Sequence, residues 1–132
     1  MEEPDVWLEL VKARVASVDR WWEDGILLQD GYTLPFLVER GWSGPAGHYI
    51  EEWWIAAGNG PVLFHFGWHE IFVHGLQSVS RFVDRVDHRI PLEPGRYHLA
   101  FGIMGVFMGA VDFEARAVEP AARQQEAGSR TA

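Results

Sequence analysis

From Tyr32 onward, apolar and polar positions fall into short runs rich in Val, Ile, Phe, Tyr and Trp. Gly, Pro or Asp breaks the runs at intervals of about eight to twelve residues, the spacing of strands joined by turns. The runs predict strands over 33–39, 48–57, 62–66, 69–76, 79–86, 96–103 and 106–118. Together they predict a mainly β fold, an antiparallel β-sandwich or barrel-like domain occupying residues 1–118. Two of the runs alternate cleanly. Tyr97, Leu99, Phe101 and Ile103 share one face, and Val111, Phe113, Ala115 and Ala117 alternate with Asp112, Glu114 and Arg116.

The breaks carry their own signals. Gly41 to Gly47 (GWSGPAG) reads as a loop, and Glu93-Pro94-Gly95-Arg96 places Pro and Gly as a type II turn requires. Gly67-Trp68 fits a two-residue hairpin with Gly first, the type II′ preference. That hairpin would pair Phe66 with His69, His65 with Glu70, Phe64 with Ile71 and Val62 with Val73, and opposed residues share a face.

The ends differ from this pattern. Over residues 5–24, Trp7, Leu10, Val11, Val15, Val18, Trp21 and Trp22 recur at helical spacing, with Asp5 as a cap and Gly25 as a stop. The same stretch has Val at 6, 11, 15 and 18, which favours a strand, so a helix and a strand both remain open. Residues 119–132 contain no large apolar side chain and read as a disordered tail.

Composition narrows the chemistry. The chain has 132 residues, 48% of them hydrophobic and 14% aromatic, enough for one core without cross-links. The absence of Cys removes disulfides, thiolate ligands and Cys nucleophiles. A net charge of −8 disfavours phosphate backbones and favours a basic partner. Lys12 is the single lysine, which leaves little scope for Schiff-base or P-loop chemistry. The first residues lack a basic and then apolar leader, and the longest uncharged apolar run is shorter than a membrane span, so a cytoplasmic protein is expected.

The segment Phe64 to His74 (FHFGWHEIFVH) is the most suggestive chemically, because imidazole and carboxylate groups bind divalent metals such as zinc. His69-Glu70-Ile71-Phe72-Val73-His74-Gly75, followed by Pro94-Gly95-Arg96-Tyr97-His98, resembles the two metal-binding motifs of cupins. The resemblance covers about a fifth of the chain and lacks the paired His-x-His, since His65 and His69 are separated by three residues. It implies a metal-dependent enzyme or metal-binding barrel using His65, Glu70 and His98, with His69 as a further ligand. In the hairpin register, however, His65 and Glu70 are neighbours while His69 lies on the opposite face.

Trp21-Trp22 and Trp53-Trp54 are adjacent pairs, and adjacent strand residues point to opposite faces. A member of each pair is therefore exposed wherever its sheet has a wet face, and exposed Trp favours recognition. Glu51 and Glu52 precede the second pair but point apart, which does not suit a shared acid–base role. Trp42, in the Gly-rich loop, completes the candidate binding set of Glu51, Glu52, Trp53, Trp54 and Trp42. No nucleophile elbow or phosphate loop is present. The leading expectation is a non-enzymatic binding protein without a cofactor, such as a small acidic inhibitor or immunity-type partner of a basic protein. The cupin-like metal protein and a carbohydrate or small-ligand module are the alternatives.

Overall fold

A computed structural model describes residues 8–118. Nine strands form two sheets: β1 Glu9–Ser17, β2 Ile26–Gln29, β3 Tyr32–Thr33, β4 Phe36–Ser43, β5 Gly47–Ala56, β6 Val62–Val73, β7 Ser80–Val86, β8 Gly95–Ile103 and β9 Val106–Ala117. The three-stranded sheet has the order β1-β4-β7, and the six-stranded sheet β3-β2-β9-β8-β5-β6. All neighbours are antiparallel except β2, which runs parallel to β9.

The N-terminal stretch is a strand, not a helix, in its described part. β1 places Leu10, Ala13, Val15 and Ser17 against the inward residues of β4, so β-sheet packing overrides the helical spacing. A single 3-10 turn, Val18–Arg20, then carries the chain from one sheet to the other. Gly25 completes the crossing at φ +116, where a Cβ would lie 2.8 Å from the Glu114 carbonyl oxygen. The expected tail at 119–132 lies outside the described residues.

Two predicted breaks are not breaks. β6 passes straight through Gly67-Trp68, because β5 offers a partner along its whole length, from Gly47 opposite Val73 to Ala56 opposite Val62. The hairpin lies instead at 57–61, where Gly58 has φ +48 and the Gly60 amide donates to the Ala57 carbonyl at 2.5 Å. Gly67 and Trp68 form a bulge within β6, both facing Glu52 where the register shifts between Glu51 and Trp53. Likewise Gly41, Trp42 and Ser43 belong to β4, because Trp42 is fully buried and pairs with Leu10 and Ser80. Gly95 opens β8 at φ +154, well beyond the φ near +80 of a type II turn.

The core lies between the sheets. Val15, Phe36, Val38 and Val86 of the smaller sheet face Trp53, Ile55, Val73, Leu99 and Phe101 of the larger one. The predicted inward row of β8 holds, with Tyr97, Leu99, Phe101 and Ile103 buried; in β9 Phe113 and Ala115 are buried and Val111 half-buried, whereas Ala117, at the strand's end, is exposed. At the entry to β8 the Tyr97 hydroxyl donates to the Glu93 carbonyl at 2.5 Å, tying the β7–β8 connection to the strand. Tyr97→Phe is expected to lower stability by about 1 kcal/mol in urea unfolding with little change in slope, since it removes one hydrogen bond and keeps the ring stacked on Phe113.

Candidate functional site

Alternation along β5 divides the candidate residues between two environments. Glu51 and Trp53 point between the sheets and are fully buried, whereas Glu52 and Trp54 lie half-buried on the outer face of the six-stranded sheet. The two carboxylates thus point apart, as expected. Trp53 and Trp42 are core residues and not part of an exposed patch.

The inner group is a polar network bridging the sheets. Arg40 on β4 donates from Nε to Glu51 Oε2 at 2.9 Å and from Nη2 to Glu51 Oε1, a bidentate fork at a pair with side chains 1% and 0% exposed. Trp42 Nε1 donates to the same Glu51 Oε2 at 2.8 Å. Arg40 Nη1 lies 2.9 Å from Asp84 Oδ2 on β7, which also accepts from Trp53 Nε1 at 3.0 Å. His69 closes the group, with Nε2 2.6 Å from Glu51 Oε1 and Nδ1 2.9 Å from the Gly67 carbonyl. Glu51, His69 and Asp84 offer ligand atoms within 4.8 Å of one another, the one such trio among the described residues. The Arg40 guanidinium stands among all three, 3.3 Å from His69 Nε2. The positive charge a metal would bring is already supplied by Arg40, whose bonds to Glu51, with those of Trp42 to Glu51 and Trp53 to Asp84, join the two sheets, while His69 ties Glu51 to β6. Neither Arg40 nor Asp84 carries a signal in the sequence, because their partners come from other strands.

The other histidines do not join His69. His65 Nε2 pairs with Glu52 Oε1 at 2.7 Å, Glu70 Oε2 with His48 Nδ1 at 2.8 Å, and His98 Nδ1 with Asp112 Oδ1 at 2.5 Å. The expected His65–Glu70 pairing is replaced because each faces β5 rather than its own strand. Convergence of His65, Glu70 and His98 on one point, as the cupin-like motif implied, is not the arrangement found.

These three imidazole–carboxylate pairs share the outer face of the six-stranded sheet with exposed aromatics. The centre of that face is small: Ala100 opposes Ala110, and Gly102 opposes Phe107. A Cβ on Gly102 would meet Glu52 at 3.3 Å, so the glycine makes room for that carboxylate. Around this floor stand Trp54, tilted against His65 with centroids 6.4 Å apart, Trp68 at 59% exposure and Phe107 at 62%. Trp68 reaches across the sheet to within 3.8 Å of a Cβ position on Gly105. The sequence identified Trp54 and Glu52 but missed Trp68 and Phe107, because the assumed turn removed one and the bulge near Gly102 re-aimed the other. Trp21 and Trp22 stack edge to face in the turn after the 3-10 segment, both exposed.

The outer face of the three-stranded sheet is different. Register places Lys12 and Arg81 on either side of Gly41, and Arg14 and Val83 on either side of Glu39, with Arg85 beside Leu37. The hydrogen bonds that Arg14 donates, first to Asp24 and then to Glu39, hold its guanidinium above its ordinary pKa.

Strands β1, β4 and β7 facing β9, β8, β5 and β6 make the fold a two-sheet β-sandwich, antiparallel but for the β2–β9 pair. No protein-family model matches the sequence, and no curated protein matches it. Among solved structures, the chain is similar to the Pseudomonas fluorescens alkylpurine DNA glycosylase AlkC bound to DNA containing an abasic site analog, with TM-score 0.53 and 15% identity. That likeness covers 83% of this chain and 30% of the glycosylase. It is also similar to a β-glucosidase from Listeria innocua in complex with glucose, with TM-score 0.48 and 12% identity over 83% of this chain and 16% of the enzyme. This chain therefore spans less than a third of either protein, and the likeness concerns the fold alone.

Among the described residues, no helix is long and apolar enough to cross a membrane.

Proposed function

We propose that this chain is a non-enzymatic binding module that presents the outer face of its six-stranded sheet to a basic protein partner. The observation that carries the reading is the platform of Trp54, Trp68 and Phe107 around Ala100, Gly102 and Ala110. Outward positions on a wet antiparallel sheet are ordinarily polar, whereas large exposed aromatics are the side chains that dominate interface energetics. Glu52, Glu70 and Asp112 stand on this face, each hydrogen-bonded to a histidine that orients it. Glu114 lies on the same face, opposite Arg96. The net charge of −8 adds to their attraction for a cationic surface. The buried network offers no comparable approach, since Arg40 and Glu51 are enclosed.

Site-specific photo-crosslinking in the native host tests this. A photoreactive residue at Trp68 is expected to capture one discrete protein of basic isoelectric point, and Phe107→Ala is expected to reduce that adduct about tenfold while leaving the melting curve unchanged. A photoreactive residue at Val83, on the opposite sheet, serves as the control. No adduct from position 68, or the same adducts from 68 and 83, would overturn the reading.

A further inference from the structure

β6 is the outermost strand of the six-stranded sheet, and among the described residues nothing pairs with its outer side. Proteins commonly protect such an edge with short strands, lysine, proline or inward-pointing charge. β6 has twelve residues, Val-Leu-Phe-His-Phe-Gly-Trp-His-Glu-Ile-Phe-Val, with neither lysine nor proline and Glu70 as its one carboxylate. Val62, Leu63, Trp68 and Phe72 are all exposed. The bulge at Gly67 and Trp68 also divides the strand into two halves of opposite alternation. Phe64 and Phe66 point inward before it, and His69, Ile71 and Val73 point inward after it.

We propose that the chain forms a twofold dimer in which β6 pairs antiparallel with β6 of a second copy, the axis passing between Gly67 and Trp68. This register sets Phe66 opposite the partner's His69 and Phe64 opposite the partner's Ile71, and it ends there on the inner face, because a second register shift at Leu63 turns Val62 outward. On the outer face it sets His65 opposite the partner's Glu70 and Leu63 opposite the partner's Phe72. Every one of these pairs joins like faces, as directly opposed residues require. An evenly alternating strand could not do this about an axis between two residues, because each inward side chain would meet an outward one. The bulge, which normally blunts an edge, is here what makes self-pairing geometrically consistent.

Charge selects the same register. The imidazole of each copy, bonded to its own Glu52, stands opposite the carboxylate of the other, bonded to its own His48, so unlike charges face each other twice by symmetry, as an isologous interface demands. Moving the axis by one residue sets His65 opposite the partner's Trp68 and Leu63 opposite the partner's Glu70, which loses both polar pairs. Three of the four pairs predicted within a hairpin at Gly67-Trp68 thus form between two chains instead of within one. The dimer would fuse two six-stranded sheets edge to edge and bring the two Trp68 platforms together at the axis. It stands independently of the identity of any basic partner.

Sedimentation velocity on the full chain, between about 1 and 200 µM, is expected to show a reversible monomer–dimer equilibrium. His65→Glu sets a carboxylate opposite the partner's Glu70 and is expected to weaken the dimer about tenfold, while far-UV circular dichroism stays unchanged. His65→Glu combined with Glu70→Lys restores opposite charges across the axis, and association is expected to return to within about threefold of the wild type. A wild-type chain that stays monomeric throughout, or a double variant no tighter than the single one, would overturn the proposal. A dimer unaffected by His65→Glu would overturn it as well, by placing the contact elsewhere.

Discussion

Replacing Arg40 with alanine is expected to cost about 3–5 kcal/mol of folding stability, a large share of the roughly 5–15 kcal/mol typical of a domain. The loss comes less from the missing attraction than from what remains. Glu51 would stay fully buried without its guanidinium partner, and Asp84 would lose its nearest cation. Arg40→Lys keeps the charge but not the planar fork that meets both Glu51 oxygens, so it is expected to recover only part of the loss. Urea unfolding at neutral pH measures both variants. A cost below about 1 kcal/mol for Arg40→Ala would show that the pair is solvated in solution.

Trp53→Ala is expected to be comparably damaging, at about 3–5 kcal/mol, and to mark the centre of the core. The indole is fully buried and stacked on Phe66, with centroids 4.7 Å apart and planes within 3°, and Phe64 packs against it at 5.9 Å. Both phenylalanines belong to the edge strand β6, so the cavity would loosen a strand that is paired on one side only. Trp53→Phe keeps a ring against Phe66 but deletes the donor to Asp84, and is expected to cost about 1–2 kcal/mol beyond the lost volume. Thermal and urea unfolding should rank the two variants in that order. Equal losses would mean that the indole nitrogen carries the effect and the stacking does not.

These two variants act on residues whose importance was only half legible in the sequence. Trp53 and Glu51 stood out because two aromatic and two acidic residues are adjacent, and strand alternation correctly sent their neighbours to the other face. Which member of each pair goes inside depends on the sheet that covers it. Arg40 and Asp84 gave no local signal at all, because the network joins β4, β7, β5 and β6. The histidine segment misled for a related reason. Gly67-Trp68 has the residues of a tight turn, but β5 supplies a continuous partner, and the Gly58-Asn59-Gly60 turn had already reversed the chain. A local turn preference of that size is outweighed by a full ladder of pairing and by burial of Phe64, Phe66, Ile71 and Val73. The assumed helix at the N-terminus yielded to pairing with β4 in the same way.

The sequence by itself determined the β character of the chain, most of its strand positions and the inward rows of β8 and β9. These follow from period-two alternation, which is local and survives any arrangement of the sheets. It also determined that Glu51 and Glu52 could not act together, since adjacent strand residues diverge. The tertiary structure alone decided that one carboxylate is sealed beneath Arg40 while the other stands among Trp54, Trp68 and His65. It also decided that β6 ends the sheet with a bulge at its centre. Sheet order, register and edges arise from contacts between residues far apart in the chain, and alternation carries no information about which strand will be the neighbour.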